Sequence, residues 1–274
     1  MSTNLGYLGP PGTFSEEAAR NYIGTYRRRL VEYSTIPEIA EAVAAGRVEE
    51  GLVPLENSLE GGVAVTLDLL ASRDGLQICR ELIHPIKHCL LALPGTGLHN
   101  LKVVASHPQA LGQCRQFLDR RLPGRSFFPT GSTAAAALKA SGEKGVAAIA
   151  PRRAAALYGL DLLAEDIQDN DLNSTRFVVL ADQDHLPTGD DKTSLVVAIP
   201  DGPGSLYHIL SYFARYHVNL TRIESRPARR HLGEYLFFID CQGHRLQAEL
   251  VRLWGELGRE SSWFKILGSY PRFC

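Results

Sequence analysis

Five short apolar runs, separated by amphipathic stretches, constrain the first two thirds of this chain more than any other feature. Leu5 to Leu8, Leu30 to Tyr33, Gly51 to Leu55, Val103 to Ala105 and Val146 to Ala150 have the length and composition of buried strands. Between them Ile36, Ile39, Ala40 and Val43 recur at the spacing of one helical face, and Gly46 supplies a stop. Thr13, Phe14, Ser15 and Glu16 have the form of a capping box that opens an earlier helix. This alternation predicts an α/β domain with largely parallel sheets. The strand-like tract Leu76 to Leu93 is where the chain is expected to cross from one lobe to another, which makes the domain bilobal with a cleft.

A length of 274 residues favours two domains. The polar segment 182–192, broken by Pro187 and Gly189, predicts a linker between a first domain at 1–181 and a second at 193–274. Beyond it the order changes. Ser194 to Ile199 reads as a strand, and Leu206, Ile209, Leu210 and Phe213 mark a helical face. Leu220 to Glu224 and Tyr235 to Ile239 read as strands joined around Arg229 to Gly233. Leu246, Leu250, Leu253, Trp254 and Leu257 mark a second helix, and Trp263 to Leu267 a closing strand. The order β-α-β-β-α-β is the ferredoxin-like split motif. One face of its sheet receives no helix, so pairing with a second copy is expected. Low complexity is confined to Ala134 to Ala137, and no internal repeat is visible.

Charge narrows the partners. With 29 basic against 30 acidic residues, the chain offers no bulk attraction for nucleic acid or acidic lipid. The clusters Arg27 to Arg29, Arg120-Arg121 and Arg229-Arg230 read as solvated surface. Cys79, Cys89, Cys114, Cys241 and Cys274 are widely spaced and form no C-x-x-C pair, so they read as reduced thiols rather than disulfides or zinc ligands. No secretory signal and no apolar run near about 20 residues is present, and a soluble, cytoplasmic protein is expected.

Several polar segments leave the ends of strands. Gly9 to Ser15 (GPPGTFS) lacks the second glycine and the lysine of a nucleotide loop. What remains is a tight turn carrying Thr13 to a helix N-terminus, which suits an anion or is simply a cap. Leu55 to Ser58 runs into Gly61-Gly62; Ser106 to Gln109 enters a helix on which Gln109 and Gln113 share a face; Gly131, Ser132 and Thr133 precede another helix. Each has an ordinary reading too, Ser106 with Gln109 as a capping box and Ser132 as an N-cap. Together they lie where open α/β sheets bind ligands. They are nearly free of carboxylates, Glu56 excepted, which suits a doubly negative small molecule.

In Asn173 to Phe177 (NSTRF), Thr175 and Phe177 share one face of an extended chain and Arg176 takes the other. An apolar wall beside a hydroxyl suits a site that hydrogen-bonds one oxygen and shields it from water. Alone, the same residues read as a turn entering a strand. No G-x-S-x-G, H-E-x-x-H or G-x-G-x-x-G occurs, and His84 and His88 lack nearby acidic partners that would recommend them as metal ligands. A hydrolase triad, a zinc site and a dinucleotide cofactor are unsupported. Neither metal nor cofactor is expected.

Taken together, Tyr7 to Ser15, Pro54 to Ser58, Ser106 to Leu111 with Gln113-Cys114, and Asn173 to Phe177 resemble the prephenate dehydratase family. Gly202 to Leu206, Asn219 to Thr221 and Glu224 to Pro227 resemble its ACT regulatory module. The resemblance implies a bilobal, periplasmic-binding-protein-like catalytic domain followed by a ferredoxin-like ACT domain. It implies a cofactor-free lyase of phenylalanine biosynthesis that turns prephenate into phenylpyruvate, carbon dioxide and water under feedback by phenylalanine. Thr175 would hydrogen-bond the departing oxygen, with Asn57, Ser106 and Gln113 in the active site. Thr13, Ser58, Gln109, Ser132, Thr133, Arg176 and Phe177 would bind or position substrate. Phenylalanine would contact Gly204, Ser205, Leu206, Asn219, Leu220, Glu224, Ser225, Arg226 and Pro227, with Asn219 and Glu224 near its ammonium. Ser205 stands where the family commonly has alanine. A homodimer or homotetramer through the ACT domains is expected. Arogenate dehydratase and a non-catalytic amino-acid sensor are the competing readings.

Overall fold

The computed structural model describes residues 4–24, 29–228 and 235–272. Arg27, Arg28, the Arg229-Arg230 cluster with the connection through Gly233, and Cys274 lie outside the described residues. The chain runs β1 (Asn4–Leu8), α1 (Phe14–Ile23), β2 (Arg29–Tyr33), α2 (Ile36–Ala44), β3 (Glu50–Asn57), β4 (Gly61–Gly62), α3 (Ala64–Ser72), β5 (Gln77–Pro85) and β6 (Cys89–Ala92). It continues through β7 (Val103–Ser106), α4 (Pro108–Gln113), α5 (Arg115–Arg121), β8 (Ser126–Pro129), α6 (Thr133–Gly142), β9 (Val146–Ala150), α7 (Arg152–Tyr158), β10 (Asp161–Ala164) and β11 (Ser174–Ala181). Last come β12 (Asp191–Ala198), α8 (Ser205–Arg215), β13 (Leu220–Pro227), β14 (Tyr235–Gln242), α9 (Ala248–Glu260) and β15 (Trp263–Pro271).

Residues up to Ala181 build two α/β sheets, hence two lobes. One has the order β2-β1-β3-β11-β5, with β4 on β3, and the other β10-β6-β9-β7-β8. The tract Leu76 to Leu93 divides into β5 of the first sheet and β6 of the second, as its sequence implied. The chain returns between β10 and β11. These two passages are bonded to each other: Ile86 N–H donates to Asn173 O at 2.9 Å, and Ile167 N–H to His88 O at 3.0 Å. The expectation of largely parallel sheets needs correction in the second sheet. There β7 is parallel to β8 and β9, but β6 is antiparallel to both β9 and β10. β6 enters from β5 of the other sheet, so no βαβ crossover ties its direction to β9 or β10. In the same sheet the alanine run serves packing, since Ala136, Ala137 and Ala140 let α6 sit close on Ala148 and Ala150 of β9.

By compactness the chain separates into two units: Met1–Ile39, Glu56–Gly61 and Ile83–Arg176 in one, Ala40–Leu55, Gly62–Leu82 and Phe177–Cys274 in the other. The second unit contains the four-stranded antiparallel sheet β13-β14-β12-β15. Leu195, Val197 and Ile239 face α8 and α9 through Ile209, Phe213, Leu250, Leu253 and Leu257. Alternation sends Ser194, Val196, Phe238 and Asp240 to the opposite face, yet these are buried as well.

That face, expected to await a second copy, is covered by the chain's own α3 and β5. Lys265 Nζ donates to Leu70 O at 3.0 Å, Arg226 pairs with Asp68 at 3.2 Å, and Lys192 pairs with Glu81 at 2.8 Å. Gly268 makes the approach possible, because a Cβ there would fall 2.7 Å from the backbone nitrogen of Ile78. The sequence could not show that a helix far upstream would supply the missing layer. Cys79, Cys89, Cys114 and Cys241 are free and buried; burial pushes the Cys89 thiol up to about 11 and Cys241 up to about 12. No helix among the described residues is long and apolar enough to cross a membrane.

The closeness of β15 to β5 is testable. Gly268→Ala is expected to lower stability by about 1–3 kcal/mol through overpacking, read from urea unfolding. An unchanged midpoint would mean that the two backbones do not approach so closely.

Candidate active site

The site is built where β3 ends beside the start of β11. Ser58 N–H donates to Ser174 O at 2.9 Å. The Ser58 hydroxyl donates to Leu172 O at 3.2 Å and accepts from Ser174 N–H at 3.0 Å. Ser58 therefore ties the two chain segments together, and its polar groups are engaged in doing so.

Asn57 is held by its own turn. Its Oδ1 accepts from Leu59 N–H at 3.0 Å and Glu60 N–H at 3.1 Å, an arrangement typical of asparagine after a strand. The amide nitrogen must then face the other way. It lies 3.0 Å from Thr175 Oγ1, 2.9 Å from Asn173 Oδ1 and 3.2 Å from Ser174 O. An amide nitrogen only donates, so the Thr175 hydroxyl is the acceptor and keeps its own hydrogen for another oxygen. Thr175 is 9% exposed, which leaves little water to compete.

The network extends through Asn173, which is 1% exposed. Its amide nitrogen donates to Gln113 Oε1 at 2.9 Å. Gln113 Nε2 points to Glu60 Oε1 at 3.5 Å, and His88 Nε2 lies 3.0 Å from Gln113 Oε1. Three of the four expected catalytic residues, Thr175, Asn57 and Gln113, are thus joined. Asn173, read from sequence as a turn residue, is the bridge between them. Gln109, Gln113, Glu60 and Asn173 also line a cavity of about 510 Å³.

Ser106 is not brought into this network. It is fully buried, with its hydroxyl donating to Ile149 O at 2.6 Å. Nor does it cap the following helix. It is still within β7, and His107 Nδ1 accepts from Gln109 N–H instead, with Pro108 as the first helical residue. Thr13, Ser132 and Thr133 keep their ordinary roles: Thr13 caps α1, Ser132 caps α6 through Ala135 N–H at 3.0 Å, and Thr133 opens that helix. Phe177 is enclosed in the core at 2% exposure, and β11 beyond Ser174 has no wet face. Its ring is not presented to a ligand.

The low-carboxylate picture also needs amendment. Arg176 is buried with Glu56 Oε2 3.6 Å from its guanidinium, and Glu60 joins through Gln113. Glu16 fills the anion position expected at the N-terminus of α1. Its carboxylate accepts from Gly12 N–H at 2.7 Å, from Arg20 at 2.7 Å, and from Arg153 at 2.9 and 3.0 Å. His84 also has an acidic neighbour after all, Glu17 at 3.4 Å. Among the described residues no three histidine, cysteine or carboxylate side chains cluster as metal ligands would.

Comparison with known proteins gives the family of the chain. Residues 5–185 match the family model for prephenate dehydratase, and residues 193–258 match that for the ACT domain. The chain belongs to the prephenate dehydratase family. A bifunctional chorismate mutase/prephenate dehydratase of Stutzerimonas stutzeri is 42% identical over 98% of this chain and 73% of its own length. Arogenate dehydratase/prephenate dehydratase 1 of Arabidopsis thaliana, a chloroplastic protein, is 38% identical over 97% of this chain and 71% of its own. A crystal structure of prephenate dehydratase in complex with L-Phe from Arthrobacter aurescens superposes with a TM-score of 0.90. It has 40% identity and covers 98% of this chain and 90% of that one.

In the ACT domain of this family member, Gly204 takes a left-handed conformation (φ +81°) before α8 and gives that helix no side-chain cap. Only a glycine adopts this backbone without strain, and the first N–H groups of α8 are left without a side-chain partner. Ser205, Leu206 and Leu220 are half-buried, whereas Asn219, Ser225 and Pro227 are exposed. Arg222, Glu224 and Arg226 alternate along the half-buried face of β13. The Glu224 carboxylate pairs with Arg222, a residue the sequence did not single out, and lies against the Cα of Gly62.

Burial alone would raise the Glu16 carboxyl, but hydrogen bonds from Arg153, Gly12 and Arg20 hold it below the usual carboxylate range. Its folded value is thus lower than its unfolded one. The stability it contributes is complete above the unfolded value and is lost as pH falls through the folded one. Glu16→Gln is expected to melt lower than the parent at pH 7 and to lose less on acidification. Parallel melting curves from pH 7 down to 3 would contradict this.

Proposed function

We propose that this protein converts prephenate to phenylpyruvate, carbon dioxide and water, and that Thr175 assists departure of the ring hydroxyl. The carbon–carboxylate bond breaks and its electron pair enters the ring. The carbon–oxygen bond opposite breaks, hydroxide departs and takes a proton from solvent to become water, and the ring becomes aromatic. Aromatisation drives the step, so the barrier lies in the poor leaving group, and a hydrogen bond aimed at that oxygen is the help required. The observation that carries this reading is the amide of Asn57 donating to Thr175 Oγ1, which turns the hydroxyl hydrogen outward. A threonine hydroxyl is a weak acid, so it acts as a strong donor rather than by complete transfer. Gln113 and Asn57 position it, and Arg176 contributes positive charge toward the dianion. The catalytic domain occupies 1–181, the linker 182–192 and the regulatory domain 193–274.

Phenylalanine inhibits by binding the ACT domain. The start of α8, which no side chain caps, suits its carboxylate, Glu224 its ammonium, and Leu206 and Leu220 its ring. A dimer or tetramer through these domains uses a surface other than the sheet face that α3 covers. A second reading, arogenate as substrate, is favoured by the double name of the Arabidopsis relative, and relative turnover of the two compounds decides it.

Thr175→Val is expected to lower phenylpyruvate formation about 10²–10³-fold while prephenate still binds. Unchanged turnover would remove Thr175 from the mechanism, and binding without turnover by the parent protein would favour an amino-acid sensor. Glu224→Ala is expected to raise the phenylalanine concentration for half inhibition about tenfold or more, with basal activity retained. Persistence of inhibition at the same concentration would move the regulatory site elsewhere.

A further inference from the structure

We infer that His88 is a positioning residue for this reaction: its Nε2–H fixes the Gln113 carboxamide in the one orientation compatible with an outward Thr175 hydroxyl. The inference rests on the proposed role of Thr175 and deepens it.

Each amide in the network has two possible orientations, and a head-to-tail chain of amides holds its order most firmly when both ends are anchored. One end is decided by Asn57, whose Oδ1 is held by two backbone N–H groups. The other is Gln113. Its Oε1 lies 3.0 Å from His88 Nε2 and 2.9 Å from Asn173 Nδ2. An amide oxygen only accepts, so the imidazole must carry its hydrogen on Nε2. Were Gln113 reversed, its NH₂ would face the His88 N–H. Asn173 would then have to reverse to find an acceptor, which would set its own NH₂ against that of Asn57. Asn57 cannot answer by turning, because its oxygen holds the turn. The donor that remains would be lost to Thr175.

The surroundings of His88 favour the same tautomer. Its Nδ1 is buried with no hydrogen-bond partner, so a hydrogen placed there would be an orphaned donor, whereas a bare lone pair is the less costly state. The Phe14 ring stands at 5.2 Å and 84° to the imidazole. Backbone bonds from His88 N–H to Gln168 Oε1 at 2.9 Å and from Ile167 N–H to His88 O fix the residue where the chain crosses between the two sheets. Burial also holds the imidazole below its ordinary pKa, against a smaller opposing effect of the Gln113 hydrogen bond. The neutral ring is therefore the resident form.

Two measurements test this. In ¹⁵N-histidine-labelled protein without substrate at pH 7, the His88 ring nitrogens should report a neutral imidazole protonated at Nε2. A ring protonated at Nδ1, or at both nitrogens, overturns the inference without bearing on Thr175. In steady-state assays His88→Leu should lower kcat roughly 100-fold, the scale of a misplaced catalytic group, with little change in KM. His88→Gln, which carries an N–H on a flexible chain, should recover part of that loss. Combining His88→Leu with Gln113→Leu should cost little more than Gln113→Leu alone. Wild-type kcat in His88→Leu, or fully additive losses in the double variant, would overturn the positioning role. Unchanged turnover in Thr175→Val with the expected His88 tautomer would instead overturn the proposed function alone.

Discussion

Two backbone N–H groups, those of Leu59 and Glu60, decide the chemistry of this site by capturing one oxygen of Asn57. A side-chain amide has a donating and an accepting end, and fixing one end aims the other. With the oxygen committed to the turn after β3, the nitrogen can only face Asn173, Ser174 and Thr175. The Thr175 hydroxyl becomes an acceptor, and in the proposed mechanism its hydrogen is the one offered to substrate. The mechanism proposed for this site calls for no acid of unusual strength, because a dry and correctly aimed hydrogen bond is the stabilisation a departing oxygen requires.

The same economy of orientation runs through the neighbouring groups. Asn173 and Gln113 are both amides, so neither would hold its direction without a fixed donor or acceptor at its end; His88 supplies one and Asn57 the other. Glu16 differs in kind. It is a buried carboxylate at 2% exposure that survives because the Gly12 N–H, just before the helix cap, and two arginines surround it. It sets a charge internal to the chain at the start of α1, where Thr13 serves as the cap. Arg176 stands beside Glu56 and is likewise not an isolated cation.

Much of the fold was legible because periodicity is a local property. The strands at β1, β3, β7 and β9, the capped start of α1, the stop of α2 at Gly46, and the β-α-β-β-α-β order after the linker all follow from spacing within a few residues. The passage between sheets at Leu76 to Leu93 was visible as an overlong strand. Short edge strands such as β8 and β10 were not, since none of their side chains is fully buried and no buried apolar run marks them. The antiparallel setting of β6 was equally hidden, because strand direction within a sheet depends on which distant strand becomes its neighbour. At the site, the motif residues Asn57, Gln113 and Thr175 converge, while Ser106, Thr13 and Ser132 bond to backbone beside them. Hydroxyls that cap helices and hydroxyls that meet substrate look alike in sequence, as both follow strand ends.

The sequence by itself determined two α/β lobes, a ferredoxin-like second domain, and the chemical kinds of group at the strand ends. Those depend on the order of apolar and polar side chains, which is written in the chain. Only the tertiary structure decided that Asn173 bridges Asn57 to Gln113, that His88 stands behind Gln113, and that α3 covers the second domain's free face. These are partnerships between residues 25 to nearly 200 positions apart. Hydrogen bonds are short-ranged and directional, so their partners exist only once packing has brought the atoms within about 3 Å.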